Sequence, residues 1–282
     1  PDERLGFAHF LEHMLFLGTE KFPEAGEYQR YISSHGGSNN ASTGFEHTNY
    51  YFELDQAHLR GALERFSQFF VAPLLDAEYV DRERNAVHSE YQARLKSDGS
   101  RTWDATKQVF NAAHPLSRFS VGSLKTLTNE QGKLRQDLIE FQRRHYSANR
   151  MTLVVYGKES LETLEQWVVE LFGPIEDRDV VNRPVDVPLF KEGRLPALLE
   201  VTPERDLRTL SLDFPIPSTL AHFRSKPTYY ISNLLGHEGK GSLLSLLKAK
   251  GWSDGLSSGV GFQSRDAALF RVNVRLTADG LA

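Results

Sequence analysis

The sequence predicts an α+β chain arranged as two successive units. Three observations carry that reading. Helix-period apolar patterns alternate with short β-branched and aromatic runs along the whole length. The regular pattern lapses once, between Arg178 and Pro196, where Pro184, Pro188 and Pro196 are spread through the segment. Smaller units of the same kind then resume and run to the last residue. The expected divisions are a first domain over residues 1–180, a linker over 181–197 and a second, incomplete domain over 198–282.

Residues 5–17 (LGFAHFLEHMLFL) are apolar on nearly all sides and predict a buried helix, capped by Asp2 and ended by Gly18. Residues 26–35 form a second helix closed by Gly36 and Gly37. Strands follow over 39–43 and 48–54, the latter rich in Tyr and Phe. Helices are expected at 57–70, 76–95, near 102–112 and over 129–145. MTLVVYG (151–157) predicts a buried strand and 159–172 an amphipathic helix. In the second unit, strands are expected near 198–202 and 208–214, helices at 226–235 and 241–250, and strands at 256–263 and 268–276.

Composition narrows the function. The 282 residues are 40% hydrophobic and 25% charged, with net charge −4, which is no footprint for nucleic acid or an anionic membrane. The longest apolar run, Phe66 to Leu75, is interrupted by Ser67 and Gln68 and is too short to span a bilayer. Cysteine is absent, so disulfides and thiol chemistry are excluded, and any metal must be held by His, Asp or Glu. A cysteine-free chain suits the cytoplasm or a bacterial periplasm equally. The chain opens on Pro1, not Met, so its compartment cannot be read from a leader.

The segment HFLEH carries the chemistry. His9 and His13 are four residues apart, which on a helix puts both imidazoles on one face, about 6 Å apart along the axis. Glu12 projects within the same arc. Two neutral imidazoles can hold Zn²⁺ while the adjacent carboxylate takes a proton from water; the order of residues is that of the inverzincins. Three polar side chains on a buried helix cost several kcal/mol without partners, and a metal supplies one. Two histidines leave a catalytic zinc one protein ligand short. In the 76–95 helix Val80, Val87 and Tyr91 mark the buried stripe, and Glu83 and Glu90, seven residues apart, share one edge of it. Either acid could ligate while the other orients it.

At this point the sequence resembles the insulinase/pitrilysin family of zinc metallopeptidases. HFLEHMLFLGTEKFP (9–23) is similar to that family's signature, GGSNNASTGFEHTNYYFEL (36–54) to its active-site edge strand, ERNAVHSEY (83–91) to its downstream glutamate helix, and LLGHEGKGSLLSLLKAKGW (234–252) to a segment of its second domain. The resemblance implies Glu90 as third zinc ligand, Glu83 as the carboxylate behind the ligands, Glu12 as general base, and one Zn²⁺ per chain. It also implies that Asn40 and Ala41 pair with an extended peptide substrate and that Phe16 lines the pocket beside the scissile bond. His237, Gly239, Gly259 and Gly261 would form an exosite for substrate N-termini. The implied fold is an antiparallel sheet with helices packed on one face, repeated in two domains, the second without metal. Full-length members have four domains, so the C-terminal half of the same protein or a partner subunit would close a chamber around the peptide. The implied activity is a zinc endopeptidase for oligopeptides or small polypeptides. A dedicated processing peptidase for one precursor is a narrower alternative. A non-catalytic scaffold subunit is a different one, opposed by the presence of His9, Glu12, His13 and Glu90 together.

Overall fold

The computed structural model describes residues 4–182 and 184–282. Asp2, the expected cap of the first helix, lies outside the described residues. The chain divides into two compact units. The first comprises residues up to Leu95 together with Arg118 onward to the Pro-rich segment; the second comprises Lys96–Ser117 and Pro184–Ala282.

In the first unit, α1 (Phe7–Leu15) is followed by α2 (Glu27–Ser34), then the strands β1 (Ser38–Thr43) and β2 (Thr48–Glu53), then α3 (Leu59–Val71) and α4 (Ala77–Leu95). The two strands pair antiparallel in unbroken register from Ser38↔Glu53 to Thr43↔Thr48. Burial alternates along both strands, so one face of the hairpin looks inward. α1 and α2 pack against it. α1 is central because its sequence is apolar all round: Phe10, Leu11, Met14 and Leu15 are fully buried. Each such side chain contributes about 1.5–3 kcal/mol on burial, enough to hold the polar residues of the same helix inside. Tyr28, Ile32, Phe66, Phe69, Val80 and Val87 complete the core around it.

A close backbone approach fixes the start of α1. Gly6 caps the helix with φ 87°, and a Cβ on it would lie 2.2 Å from the Gly122 Cα. Gly122 itself has φ 94°. Two glycines are therefore required where the Val121–Gly122 turn meets the helix, and that meeting positions the Val121 carbonyl used below.

The second unit begins with α5 (Asp98–Lys107). The remaining first-unit helices are α6 (Lys133–His145) and α7 (Leu161–Phe172). The second unit continues with β3 (Thr209–Ile216), α8 (Pro227–Leu235), α9 (Leu243–Ala249), β4 (Ser253–Gln263), β5 (Ala268–Leu276) and α10 (Ala278–Leu281). Its sheet is antiparallel in the order β3-β5-β4, with α8 and α9 packed on β4.

Two expectations are corrected. Residues 151–157 form no strand. Leu153 and Val155 pack inward, but Val154 is 83% and Tyr156 95% exposed, because no described segment pairs alongside to cover that side. Residues 198–202 likewise form no strand and are largely exposed. The second unit's main body starts at Pro184, inside the expected linker. Lys96–Ser117 packs with the second unit, where fully buried His114 bonds Asp266 at 3.0 Å and the Asn111 N–H donates to the Leu189 carbonyl at 2.7 Å. Leu189, inside the expected linker, is buried there.

Candidate metal centre

α1 presents His9 and His13 on one face, with ring centroids 4.8 Å apart and planes nearly perpendicular. α4 packs across α1 and brings Glu90 to both rings. The His9 Nε2 lies 3.4 Å from one Glu90 oxygen and the His13 Nε2 3.3 Å from the other. One ligand atom from each of the three residues falls within 4.8 Å of the other two. Among the described residues this is the one set of three such groups so arranged.

The second nitrogen of each ring decides which atom is free. The His9 Nδ1 is 2.7 Å from the Val121 carbonyl oxygen. A carbonyl only accepts, so Nδ1 carries a hydrogen, and in the neutral ring Nε2 keeps its lone pair. The His13 Nδ1 is 3.4 Å from Glu83 Oε2, while Arg82 Nε donates to Glu83 Oε1 at 3.0 Å. Burial raises the Glu83 carboxyl, but His13 and Arg82 outweigh it and hold the group below the usual carboxylate range. Glu83 is therefore an acceptor, and His13 also turns Nε2 toward Glu90. Both imidazoles are thus fixed in the tautomer a metal needs, each by a partner behind it.

The two acids are separated by exposure. The Glu83 side chain is 13% exposed and sits behind His13, whereas that of Glu90 is 44% exposed and opens to the cleft. His13 itself is pulled down by burial, but its bond to Glu83 and the charges of Glu90, Glu83 and Glu12 more than offset this and raise it above the ordinary histidine range. Such a ring, surrounded by three carboxylates, calls for a cation. A proton satisfies part of that demand, and a divalent ion at the two Nε2 atoms and Glu90 satisfies it fully. The donor set fits Zn²⁺: two imidazoles, one carboxylate and an open side.

Glu12 is buried beside the pair, and its Oε2 accepts a short hydrogen bond from the Thr43 hydroxyl. The cleft encloses about 540 Å³ and is lined by His9, Glu12, His13, Glu90, Phe16 and the β1 residues Asn39 to Thr43. Phe16, Asn40 and Ala41 thus stand in the same cleft as His9, His13 and Glu90. The Ala41 N–H is held by Asn40 Oδ1 at 2.9 Å, so it is not committed to β2. Thr43 escaped the sequence reading, since nothing in a polar strand announces a bond to a residue 31 positions earlier.

In the second unit, His237 follows the end of α8, and Gly239 closes against its ring; a Cβ there would lie 2.6 Å from His237 Nε2. Gly259 and Gly261 lie in β4, the latter where its register against β5 slips between Val260 and Phe262. The Ser258 hydroxyl donates to the Ser232 carbonyl at 3.0 Å, and this bond holds the end of α8 beside that strand.

With this geometry in place, similarity to known proteins is decisive. Residues 1–118 match the model of the insulinase (peptidase family M16) domain, and residues 133–281 that of the M16 inactive domain. This chain belongs to the M16 peptidase family. It is 44% identical over 285 residues to the insulin-degrading enzyme of Homo sapiens, covering all of this chain and 28% of that protein. It is 40% identical over 285 residues to the putative zinc protease mug138 of Schizosaccharomyces pombe, again covering all of this chain and 29% of the relative. The crystal structure of pitrilysin superposes with a TM-score of 0.90 at 33% identity, over 99% of this chain and 30% of that one. The chain therefore spans under a third of the length of these M16 relatives, and the mixed fold of helices on antiparallel sheets is theirs.

Proposed function

We propose that the protein carrying this chain is a zinc-dependent endopeptidase acting on oligopeptides or small polypeptides. The observation that carries the reading is the convergence of two tautomer-fixed Nε2 atoms and the Glu90 carboxylate within 4.8 Å, with the Glu12 carboxylate buried in the same cleft. His9, His13 and Glu90 would hold one zinc per chain, and Glu83 and Val121 would keep the rings aimed. When bound, zinc supplies Lewis acidity, polarising the scissile carbonyl and lowering the pKa of water.

The remaining work belongs to the chain's own residues. Glu12 takes the proton of the attacking water on Oε1, since Oε2 is engaged by Thr43, and then gives it to the leaving amine. The peptide extends along β1, taking the Ala41 N–H in place of Asn40 Oδ1. Phe16 forms the apolar wall beside the scissile bond. The His237–Gly239 turn and the Gly259–Gly261 stretch hold the substrate N-terminus. The C-terminal half of the full-length protein, or a partner subunit, closes the chamber and supplies the facing wall.

The test is a quenched fluorescent peptide with its cleavage point read by mass spectrometry. Exhaustive chelation should abolish internal cleavage and stoichiometric zinc should restore it. Cleavage that persists at full rate in metal-free protein would overturn the reading.

A further inference from the structure

Glu12 is held by one hydroxyl, and that hydroxyl ends a line of four. Thr43 donates to Glu12 Oε2. Its own oxygen lies 3.3 Å from Thr48 Oγ1, its register partner across the β1–β2 hairpin. Thr48 in turn acts on the Tyr146 phenol, holding it down against the upward push of burial, and the Tyr146 hydroxyl lies 2.7 Å from the Tyr50 hydroxyl. Period-2 alternation puts Thr48 and Tyr50 on the same inward face of β2, and Tyr146 reaches them from the end of α6.

The end of the line nearest Glu12 has a fixed polarity. A carboxylate accepts only, so the Thr43 hydrogen is committed to Glu12. Thr43 must then accept from Thr48. Burial pushes the Tyr146 phenol up to about 12 and that of Tyr50 well above its ordinary value, so both keep their hydrogens across the physiological range. The Thr43 and Thr48 hydrogens therefore both point toward the base. Bonds aligned in this way polarise one another and hold a single arrangement. None of the four hydroxyls is needed by the β-ladder, which is made of main chain.

We propose that Thr43 is a positioning residue for Glu12, backed by the hydroxyls of Thr48, Tyr146 and Tyr50, and that it couples the peptide-binding strand to the catalytic base. The proposal rests on the reading of Glu12 as base. Thr43 engages one carboxylate oxygen and leaves the other for the proton. It also closes the strand whose residues 40 and 41 meet the peptide, so a substrate drawn onto β1 steadies the donor that aims the base.

Thr43→Val removes the hydroxyl and keeps the β-branched shape; Thr43→Ser keeps the hydroxyl. In the full-length protein, kcat, KM, zinc content and melting are measured for wild type, both variants, Thr48→Val and Tyr146→Phe. Thr43→Val should lower kcat about ten- to a hundredfold, as a misaimed group does, with KM within about threefold and zinc at the wild-type level. Thr43→Ser should recover most of the loss. Thr48→Val and Tyr146→Phe should each lower kcat by a smaller factor, and Thr48→Val serves as the hydroxyl deletion if Thr43→Val does not fold. The proposal is overturned by wild-type kcat in the folded hydroxyl deletions, by Thr43→Ser failing as far as Thr43→Val, or by zinc lost in step with activity. Failure of the underlying reading looks different: wild type itself would then show no zinc-dependent hydrolysis.

Discussion

Glu12→Gln should abolish turnover while leaving the metal in place. The amide has the shape of the carboxylate but cannot accept the proton of water, and loss of general-base catalysis typically costs about a hundred- to ten-thousand-fold. The buried position tolerates the change. Glu12 lies among fully buried residues of α1, and its one side-chain hydrogen bond among the described residues is accepted from Thr43; the amide oxygen can accept the same bond. Removing one negative charge from a site that also holds Glu83 and Glu90 relieves like-charge crowding. Melting should therefore stay near wild type, zinc should remain at wild-type stoichiometry, and kcat should fall by orders of magnitude with KM little changed. Turnover within a few-fold of wild type would assign the base elsewhere.

The second large effect is loss of the metal in His13→Ala. In the proposed site His13 gives its Nε2 to the ligand set and its Nδ1 to Glu83, so its removal takes one of three ligands and leaves the half-buried Glu83 carboxylate bonded to Arg82. Outer partners of metal ligands alone account for about ten- to a hundredfold in affinity, and a ligand contributes more. The wild-type protein should melt higher with added zinc, by about 2.7 kcal/mol of stabilisation at a hundred times the dissociation constant. The variant should show no such shift and should elute essentially metal-free. Stoichiometric zinc in purified His13→Ala would remove His13 from the ligand set.

Much of this was legible in the sequence because the first unit's patterns are strong and local. α1, α2, β1, β2, α3 and α4 lie within a residue or two of their expected positions, since their apolar periods and flanking glycines agree. The HFLEH spacing alone put both imidazoles on one face. The division of labour between Glu83 and Glu90 was not legible from periodicity. Both acids share the helix edge, and only the packing of α4 on α1 buries one and opens the other. MTLVVY failed as a strand for a related reason: hydrophobicity marks a segment that can pair, whereas pairing needs a neighbour that no local pattern supplies. The assignment of Lys96–Ser117 to the second unit depends on His114–Asp266 and Asn111–Leu189, contacts distant in sequence. The Thr43–Thr48–Tyr146–Tyr50 line was hidden in the same way, although the alternation of β1 and β2 did place Thr43, Thr48 and Tyr50 on one face.

The central claim is that one zinc sits on the Nε2 atoms of His9 and His13 and on the Glu90 carboxylate. Anomalous diffraction at the zinc edge from crystals of the zinc-loaded protein tests it most directly. The account predicts a single peak in the first unit about 2.0–2.1 Å from each Nε2 and about 2.0–2.2 Å from a Glu90 oxygen, with Glu83 still bonded to the His13 Nδ1 and Glu12 outside the coordination sphere. A peak ligated by Glu83 or Glu12 in place of Glu90, or by Nδ1 of either ring, would contradict it.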